Sequence, residues 1–410
     1  MKPLRIAFNH TRLDASGGVE GYISNLLRYL LERGHHVDFF GGKFHLEPKH
    51  PNLRLVHVPF IRSPRPLRVA SFAWLSHRCI AREERRQPYD IVQGFSRTYY
   101  HTLYRDGSGC RQDYCDLYLD GIARRGIRRL YYRLNPVDWV VRRIERERYV
   151  KRPQRLVIAI SSFVRDQILR RYPVRPETVR VVYSGVDCER FHPGLREAGR
   201  AKIAALFSMP LAAGPPHVPP AGALGGQDRF LAFVGNDYHR KGLDLVLEAF
   251  AALLQRGPAR ADTLRLIVAG SDARSPAYER KARGLGLASR VRFLGSRPDV
   301  PDLLAGSDVL LLPSYFDAYA NVSSEALASG TPVIASATSG AAELIRAGHG
   351  WVLAHNGAAE LGRALEAFLS VEDLGLMRAA ARKAALELRW DKHYSQIEGL
   401  YRELVEAEKA

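Results

Sequence analysis

Apolar residues along the chain alternate between short continuous runs and longer segments with helical periodicity. The run Leu4–Phe8 is followed by a glycine-containing loop and by Val19–Arg33, in which leucines recur on one helical face. Gly34 follows this segment as a helix-ending glycine, and His36–Phe40 is again an apolar run. This order of strand, loop, helix and strand predicts the start of a doubly wound parallel sheet.

The same alternation continues along the chain in two series. The first series is predicted to contain further buried strands at Ile91–Gln93, Leu156–Ile160 and Val179–Val182. The second is predicted to contain five strands with helices between them, at Phe230–Val234, Leu264–Ala269, Val291–Leu294, Val309–Leu312 and Pro332–Ala335. The predicted fold class is therefore α/β, with two Rossmann-like, doubly wound parallel-sheet domains.

A stretch rich in proline and glycine, at about residues 208–228, is unsuited to the interior of a helix or strand. We expect an N-terminal domain of residues 1–190 and a C-terminal domain of residues 191–389 that contains this insert. Residues 390–410 are predicted to form a helix that packs back on the N-terminal domain. Two such domains facing each other would form a cleft, where ligands commonly bind.

Charge and cysteine content narrow the function classes. The 410 residues carry 61 Lys and Arg against 43 Asp and Glu, and the formal net charge of +18 favours a polyanionic ligand. Four cysteines are too few for a disulfide framework and lack zinc spacing, so reduced thiols are expected. No signal peptide or membrane span is legible. The expected location is the cytoplasm, with peripheral binding to the inner face of the cytoplasmic membrane as an alternative.

A first candidate for ligand binding lies between the first predicted strand and helix. Gly17 and Gly18 would let the backbone approach a ligand closely, and the helix that follows offers free N–H groups suited to phosphate. The spacing is not that of a nicotinamide-dinucleotide fingerprint. A tight turn without ligand is an equally good interpretation of these two residues alone.

A second candidate is the pair of cations Arg240 and Lys241, shortly after Gly235 at the end of a predicted strand. At the carboxyl edge of a parallel sheet, two adjacent cations would neutralise a diphosphate and the charge that develops as it leaves. The alternative is a solvated basic turn.

A third candidate combines Asp317 and Glu325, eight residues apart across a loop and the start of a helix. The N–H groups of Ala320, Asn321 and Val322 lie at that helix start, and Glu325 lies where a carboxylate can accept hydrogen bonds from ribose hydroxyls. The alternative is ordinary helix capping, with Asn321 as cap and Glu325 in the first turn.

These motifs, together with Glu325-Ala326-Leu327-Ala328-Ser329-Gly330-Thr331-Pro332 and Trp390 through Tyr401, resemble the signature of the large retaining glycosyltransferase family 4. The matches run along nearly the whole chain in order. Within that family, the chain is most similar to lipopolysaccharide-core glucosyltransferases, through Gly235-Asn236-Asp237, Arg240-Lys241-Gly242 and the basic stretch through Glu145-Arg146. The resemblance implies the GT-B fold, in which two Rossmann-like domains face each other across a cleft. It also implies that residues 1–190 form the acceptor-side domain and residues 191–389 the nucleotide-sugar-binding domain.

The resemblance also implies site roles. Lys241 and Arg240 would hold the donor diphosphate, Glu325 the ribose, and Asp317 the donor sugar hydroxyls. The other implied donor-binding residues are Gly17, Gly18, Gly235, Arg297 in the base-binding loop, and the backbone of Ala320, Asn321 and Val322. No metal and no cofactor are expected, because the nucleotide sugar is itself a substrate.

Two departures from the family pattern change these expectations. Asp317 stands where the family usually has Glu, which is one methylene longer, so an enzymic nucleophile at this position is disfavoured. Asn236 stands where the family often has Arg, and Arg240 would supply the missing cation. The implied mechanism is a front-face displacement in which the leaving phosphate helps to deprotonate the acceptor and Arg240 and Lys241 stabilise its charge.

His101 is a candidate base or sugar ligand, in the stretch where the family places cleft residues. A structural histidine is the competing interpretation, and Thr102 and Asp106 are competing site residues of similar weight. The sequence does not separate these alternatives.

The stretch Arg124–Arg155 carries twelve Lys and Arg against three acids, with Tyr131, Tyr132, Trp139 and Tyr149 interleaved. This pattern is typical of an interfacial helix on anionic lipid, and equally suits a phosphorylated lipid-linked acceptor. A solvated surface helix is the alternative. Nucleic acid is not expected as a partner, because no nucleic-acid-binding motif accompanies the charge.

The expected activity is retaining transfer of a hexose to a saccharide or lipid-linked acceptor in lipopolysaccharide-core or other cell-envelope glycan synthesis. UDP-glucose or another UDP-hexose is the expected donor, with GDP-mannose as an alternative. A nucleotide-sugar epimerase on the same fold is the rival activity, and a basic nucleic-acid-binding protein is the rival from another class.

Overall fold

In the computed structural model, residues 2–14, 18–46, 48–119, 125–152, 154–208 and 228–409 of the 410 are described. The chain divides into two compact units, residues 1–183 with 391–410, and residues 184–390. The centre of the proline- and glycine-rich insert and Gly17 lie outside the described residues. Each unit is an α/β domain in which strands and helices alternate.

The described residues of unit 1 form nine strands. Their bounds are Arg5–Asn9 (β1), Arg12–Leu13 (β2), His36–Gly41 (β3), Lys43–Phe44 (β4), Leu53–His57 (β5), Ile91–Gly94 (β6), Leu103–Asp106 (β7), Leu156–Ala159 (β8) and Val179–Val181 (β9). Seven of them form one parallel sheet in the order β5-β3-β1-β6-β7-β8-β9, and β2 pairs with β4. The parallel strands confirm the fold class predicted for this half of the chain.

Within the described ranges, α-helices connect these strands. They are Gly18–Glu32 (α1), Arg65–Glu84 (α2), Arg111–Tyr118 (α3), Arg125–Leu134 (α4), Pro136–Arg146 (α5) and Ser162–Arg171 (α6). The leucines of α1 at helical spacing are buried, and Gly34 follows with φ +83°. Ser161 caps α6 by accepting a hydrogen bond from the N–H of Val164, as its position before the helix predicts.

The first α-helix of unit 2 is Arg196–Ser208 (α7), and the described residues of the unit form six strands. These are Arg229–Val234 (β10), Leu264–Ala269 (β11), Val291–Gly295 (β12), Val309–Leu312 (β13), Val333–Ser336 (β14) and Gly350–Leu353 (β15). All run parallel in the order β12-β11-β10-β13-β14-β15. The four central strands, β11, β10, β13 and β14, are wholly buried, as expected of a parallel sheet covered on both faces.

The remaining helices cover this second sheet and close the chain. They are Tyr238–Lys241 (α8), Leu243–Arg256 (α9), Ser275–Gly284 (α10), Val300–Gly306 (α11), Asn321–Ala328 (α12), Ala358–Ser370 (α13), Gly375–Leu386 (α14) and Trp390–Lys409 (α15). None of the helices within the described ranges combines the length and hydrophobicity that a membrane crossing requires.

The division between the units differs from the predicted boundary at residue 190. Val186 forms a β-bridge with Arg389, and Cys188 and Phe191 are buried in the core of unit 2. The segment after Tyr183 therefore packs as part of unit 2. This short segment contains few apolar residues, and partners such as Arg389 lie far along the chain. The sequence alone therefore does not indicate that the segment packs in unit 2.

The last helix, α15, packs within unit 1 from Asp391 onward. Glu398 accepts a hydrogen bond from Tyr29 and forms an ion pair with Arg33, at 2.7 Å between Oε2 and Nε. Arg155 donates to the carbonyl of Leu404 at 2.7 Å. These contacts tie the C-terminal helix to both ends of the unit 1 sequence.

Gly242, between α8 and α9, has φ +83°, and a Cβ added there would lie 2.1 Å from the carbonyl oxygen of Pro313. We expect Gly242→Ala to destabilise unit 2 by about 3–4 kcal/mol, from the left-handed backbone plus the steric clash. Gly257→Ala is the matched control, because Gly257 has φ +62° with open space around it. It should cost about 1–2 kcal/mol. Urea unfolding of both variants measures the difference, and equal losses would contradict the steric argument.

Candidate functional site

The candidate site of unit 2 lies at the carboxyl ends of two neighbouring parallel strands. Gly235 and α8 follow β10, and the loop of residues 313–320 with α12 follows β13. Because β10 pairs directly with β13, the loops that leave their carboxyl ends are adjacent. This edge is where ligands bind in open α/β sheets.

An ion-paired cluster joins these two loops. Lys241 Nζ lies 2.6 Å from Asp317 Oδ2, and Arg240 Nη1 lies 3.0 Å from the same oxygen. Lys241 is only 7% exposed. The structure therefore brings together the three charged residues that the sequence predicted to act at one site.

The second carboxylate oxygen of Asp317 is also occupied. Oδ1 accepts hydrogen bonds from the N–H groups of Tyr319, at 3.2 Å, and Ala320, at 2.8 Å. Burial alone would raise the pKa of Asp317, but Lys241 and Arg240 outweigh it and lower the pKa to about 2. Asp317 is thus an ionised acceptor with four donors, which positions the cations and the loop backbone.

This arrangement corrects the predicted role of Ala320. Its N–H was expected to be free for the donor, but it already donates to Asp317. Ala320 has φ +58°, a strained conformation for a residue with a side chain, and it precedes the first residue of α12. The N–H groups of Asn321 and Val322 come next, in the helix turn whose N–H groups have no intrahelical acceptor.

Glu325 lies within the second turn of α12 and is half-buried. Burial raises the pKa of its carboxyl to about 7, against the opposing effects of Arg190 and Lys241. The carboxyl is therefore close to the midpoint of its titration at neutral pH. A group so poised can accept hydrogen bonds from hydroxyls as a carboxylate or donate one as an acid.

Gly235 makes room for the lysine. Its φ is +151°, and a Cβ added there would lie 3.2 Å from Cε of Lys241. A neighbouring close approach involves Gly270, where an added Cβ would meet the carbonyl oxygen of Gly235 at 2.2 Å. Gly235, a predicted site residue, therefore contributes by leaving space for the side chain of Lys241.

Asp237 also belongs to the ion-paired cluster, although the sequence motifs did not identify it as a site residue. It has φ +58°, caps α8, and its Oδ2 accepts from Nε of Arg240 at 3.2 Å. The spacing of an acid three residues before a base could have indicated this contact. Asn236, where the family often has Arg, accepts a hydrogen bond from the N–H of Ser271 at 2.7 Å.

Arg297 lies in the loop between β12 and α11, on the same unit as the cluster. Its guanidinium forms two hydrogen bonds with Asp299, at 2.8 and 2.7 Å. It makes no contact with Lys241 or Asp317. A contact between Arg297 and a nucleobase stays a prediction.

His101 belongs to unit 1 and is held at both ring nitrogens. Nε2 lies 2.6 Å from the hydroxyl of Thr98, and Nδ1 lies 3.2 Å from the amide oxygen of Gln154. The ring stacks on Tyr104 at 5.2 Å, and burial with the nearby Arg148 lowers its pKa well below the usual value. These contacts explain His101 as a neutral support for Tyr104, and its role as a base stays a prediction.

Asp106 and Thr102, the alternative candidates to His101, also have hydrogen-bond partners. Asp106 accepts from the N–H groups of Ser108 and Gly109 and from the hydroxyl of Tyr149. The hydroxyl of Thr102 bonds the backbone of Val92. Gly18 is the first residue of α1, which therefore begins one residue earlier than predicted. A contact between Gly18 and a phosphate stays a prediction. In the part of the chain that the structure describes, no group of three or more His, Cys, Asp and Glu is arranged to hold a metal ion.

Comparison with solved structures gives the class of the fold. The chain superposes on WaaG, a glycosyltransferase involved in lipopolysaccharide biosynthesis, with a TM-score of 0.72 and 23% identity, over 97% of this chain and 99% of that one. It also superposes on HepE of Anabaena in complex with UDP-glucose, with a TM-score of 0.64 and 17% identity, over 98% and 100%. The fold is GT-B, as predicted.

The sequence comparisons give the family. Residues 16–190 match Glycosyltransferase Family 4, and residues 219–387 match Glycosyl transferases group 1. The chain therefore carries a family 4 and a group 1 glycosyltransferase domain. The D-inositol 3-phosphate glycosyltransferase of Salinispora tropica is 32% identical over 278 residues, which are 64% of this chain and 53% of that protein. That of Salinispora arenicola is 33% identical over 275 residues, 64% and 58%. The chain thus spans about half the length of these curated relatives.

The raised pKa of Glu325 predicts a pH-dependent stability. A carboxyl with a pKa of 4.5 unfolded and about 7 folded destabilises the fold progressively as pH rises from 4.5 to 7, and fully above 7. Glu325→Gln should therefore gain about 3 kcal/mol relative to wild type at pH 8, and almost nothing at pH 4.5.

Thermal unfolding of both proteins across this pH range measures the effect. Glu189→Gln is the control, because Glu189 is an exposed acid of the same unit. A stability difference for Glu325→Gln that does not change with pH would contradict the assignment.

Proposed function

We propose that the protein is a retaining hexosyltransferase, which moves a hexose from a UDP-hexose, with UDP-glucose the first candidate, to a saccharide or lipid-linked acceptor. The acceptor would belong to lipopolysaccharide-core or other cell-envelope glycan synthesis. The observation that carries the proposal is the convergence of Lys241 and Arg240 on Asp317, beside the start of α12. The two glycosyltransferase domain matches support transfer, and HepE, a structural neighbour, was crystallised with UDP-glucose.

The cluster is suited to a diphosphate because it presents hydrogen-bond donors that its acids do not use. Asp317 faces both Lys241 and Arg240, and Asp237 pairs with Arg240 as well. An ammonium has three N–H donors, and Asp317 accepts from only one of those of Lys241, which leaves two for phosphate oxygens. The N–H groups of Asn321 and Val322 add donors at the start of α12.

Glu325 is suited to the ribose of the nucleotide. An ionised carboxylate can accept hydrogen bonds from both hydroxyls of a diol, and Glu325 follows the phosphate-facing turn on the same helix. With a pKa of about 7 in the free protein, it would release a proton on binding at neutral pH.

The reaction that this site would support needs no enzymic nucleophile. The acceptor hydroxyl oxygen bonds to the anomeric carbon on the face from which the diphosphate oxygen departs. The electron pair of the broken bond goes to the diphosphate, which also takes the acceptor proton. Arg240 and Lys241 stabilise the charge on that leaving group, an effect of about 10²–10³ in rate. Asp317, with both oxygens engaged, positions these cations.

Nucleotide binding tests the proposal. In a panel of nucleotide sugars, UDP-glucose should raise the unfolding temperature more than GDP-mannose, and the affinity should be unchanged in EDTA because the chain supplies the cations. Lys241→Met should weaken UDP-glucose binding by at least about tenfold, since it removes a charged donor but keeps the aliphatic stem beside Gly235.

Lys281→Met is the matched control, because Lys281 is also an ion-paired lysine of unit 2, bound to Asp244 and Glu248. Calorimetric titration compares the three proteins. The proposal fails if no nucleotide sugar binds the wild type, or if both variants lose affinity equally.

We also propose that the protein binds an anionic membrane through α4 and α5. Large apolar side chains are exposed there, with Leu134 70% and Trp139 64% exposed, and Leu130 and Tyr131 are exposed as well. Exposed apolar residues beside basic ones favour the interface of anionic lipid. One member of the basic stretch does not take part, because Arg148 is buried and donates to the backbone of Ser96 and Thr98.

Sedimentation with vesicles tests this surface. Wild-type protein should sediment with phosphatidylglycerol vesicles and much less with phosphatidylcholine vesicles. The double variant Leu134→Ser/Trp139→Ser should lose at least about tenfold in partitioning, since it removes two large side chains from the apolar interface. Leu376→Ser, an equally exposed leucine of unit 2, is the control. Retained binding in the double variant would contradict the assignment.

A further inference from the structure

The single helical turn α8 carries the two cations of the candidate site and two further side chains. Arg240 and Lys241 reach Asp317, and Tyr238 is fully buried in the core of unit 2. The proposed reaction makes no use of the remaining residue, His239, although it is only 7% exposed. Histidine is less often buried than the apolar residues, so its place beside the two cations calls for a physical reason.

The imidazole ring of His239 packs on the loop that carries Asp317. It stacks on the ring of Tyr315, with the centroids 5.1 Å apart and the planes 26° from parallel. The N–H of Tyr315 also donates to the carbonyl of Arg240 at 2.9 Å. Two consecutive residues of α8 therefore hold Tyr315, one by its ring and one by its backbone.

The loop of residues 313–320 is attached to a second element besides α8. The carbonyl of Ser314 accepts hydrogen bonds from the hydroxyls of Ser336 and Thr338, both at 2.6 Å. Ser336 is the last residue of β14, so these bonds fix the loop to the sheet. Loss of the contact between Tyr315 and α8 would leave this attachment intact. Its effect would therefore be a local shift of the loop relative to the cations.

An acid of α9 fixes the orientation of the His239 ring. Nδ1 of His239 lies 3.3 Å from Oδ2 of Asp244, which also accepts from the hydroxyl of Tyr278 at 2.9 Å. Lys281 Nζ lies 3.0 Å from the other oxygen of Asp244. Burial alone would raise the pKa of Asp244, but the hydrogen bonds from His239 and Lys281 lower it. Because an ionised carboxylate only accepts hydrogen bonds, Nδ1 of His239 is the donor in this contact.

The loop that Tyr315 belongs to contains backbone strain that its contacts must hold. Ala320 has φ +58°, and the carboxylate of Asp317 keeps it there by accepting from its N–H. A strained conformation of this kind persists only where the surrounding structure over-determines it. A loop already fixed in its binding conformation also loses less conformational freedom when a ligand binds. Contacts that hold the loop in the free protein therefore raise the affinity for a ligand of its backbone.

We infer that His239 is a positioning residue for the nucleotide-sugar donor. Its ring, oriented by Asp244, holds Tyr315 and thereby keeps Asp317 and the start of α12 in place before the diphosphate binds. The ring is the part that acts on the loop, because Asp244 lies on α9 and its other partners lie on α10. The inference rests on the proposed transferase function and adds a residue to its donor site.

Two substitutions separate the ring of His239 from its hydrogen bond. His239→Phe keeps a flat ring against Tyr315, whereas His239→Asn keeps an N–H donor for Asp244 but removes the ring. Calorimetric titration of the full chain with UDP and with GDP compares them. His239→Asn should weaken binding of the tighter nucleotide about threefold to tenfold, the range of an aromatic contact. His239→Phe should stay within about twofold of the wild type.

Tyr315→Leu removes the same stack from the loop side and should reproduce the loss seen in His239→Asn. In the double variant His239→Asn/Tyr315→Leu, the loss should not exceed that of the larger single effect, because both substitutions remove one contact. His349→Asn is the control for a buried histidine of unit 2, since His349 is 6% exposed and precedes β15, at the amino ends of the strands. It should leave nucleotide affinity unchanged.

Hydrogen exchange of the ligand-free protein measures the effect on the loop without a nucleotide. The amides of Tyr319 and Ala320, which donate to Asp317, should exchange at least about threefold faster in His239→Asn. They should exchange at the wild-type rate in His239→Phe and in His349→Asn.

Four results would overturn the inference while the proposed function stands: unchanged nucleotide affinity in His239→Asn, an equal loss in His239→Phe, an equal loss in His349→Asn, or additive losses in the double variant. Faster exchange in His239→Asn with unchanged affinity belongs to the first of these, since the stack would then be structural only. If neither UDP nor GDP binds the wild type, the proposed function falls and the inference falls with it, whatever the exchange rates.

Discussion

The ion pair between Lys241 and Asp317 is the interaction on which the unit 2 site depends. It links the turn after β10 to the loop after β13, and both side chains are largely withdrawn from solvent. Removing Asp317 would leave the buried charge of Lys241 without a carboxylate partner, at a cost of about 3–5 kcal/mol. Without Lys241, the carboxylate of Asp317 would still be paired with Arg240. The same carboxylate holds the N–H groups of Tyr319 and Ala320, so the pair also sets where α12 begins and where Glu325 lies.

The two units manage positive charge in different ways. In unit 2 the cations of the candidate site are organised by an acid before any ligand arrives, which keeps the site rigid and its net charge small. In unit 1, a cavity at the starts of α1 and α2 is lined by Arg62, Arg65 and Arg68, which are exposed and face no acid within the described residues.

Much of the fold was predictable, since strands buried on both faces of a parallel sheet appear as apolar runs. The strands that the sequence did not reveal break this pattern. In β7, Arg105 and Asp106 are buried because Arg105 stacks on Tyr22 and Asp106 accepts from Tyr149. Site residues with a motif, such as Lys241 and Asp317, were predicted. The occupied second oxygen of Asp317 and the cavity cations of α2 were not, because both depend on contacts between distant segments.

A crystal structure of the protein with UDP tests the central claim most directly. The diphosphate should lie within hydrogen-bonding distance of Lys241 Nζ and of the N–H groups of Asn321 and Val322. Asp317 should still be paired with Lys241. The ribose hydroxyls should lie on the carboxylate of Glu325. A diphosphate bound elsewhere, or one that displaces Asp317 from both cations, would contradict the account.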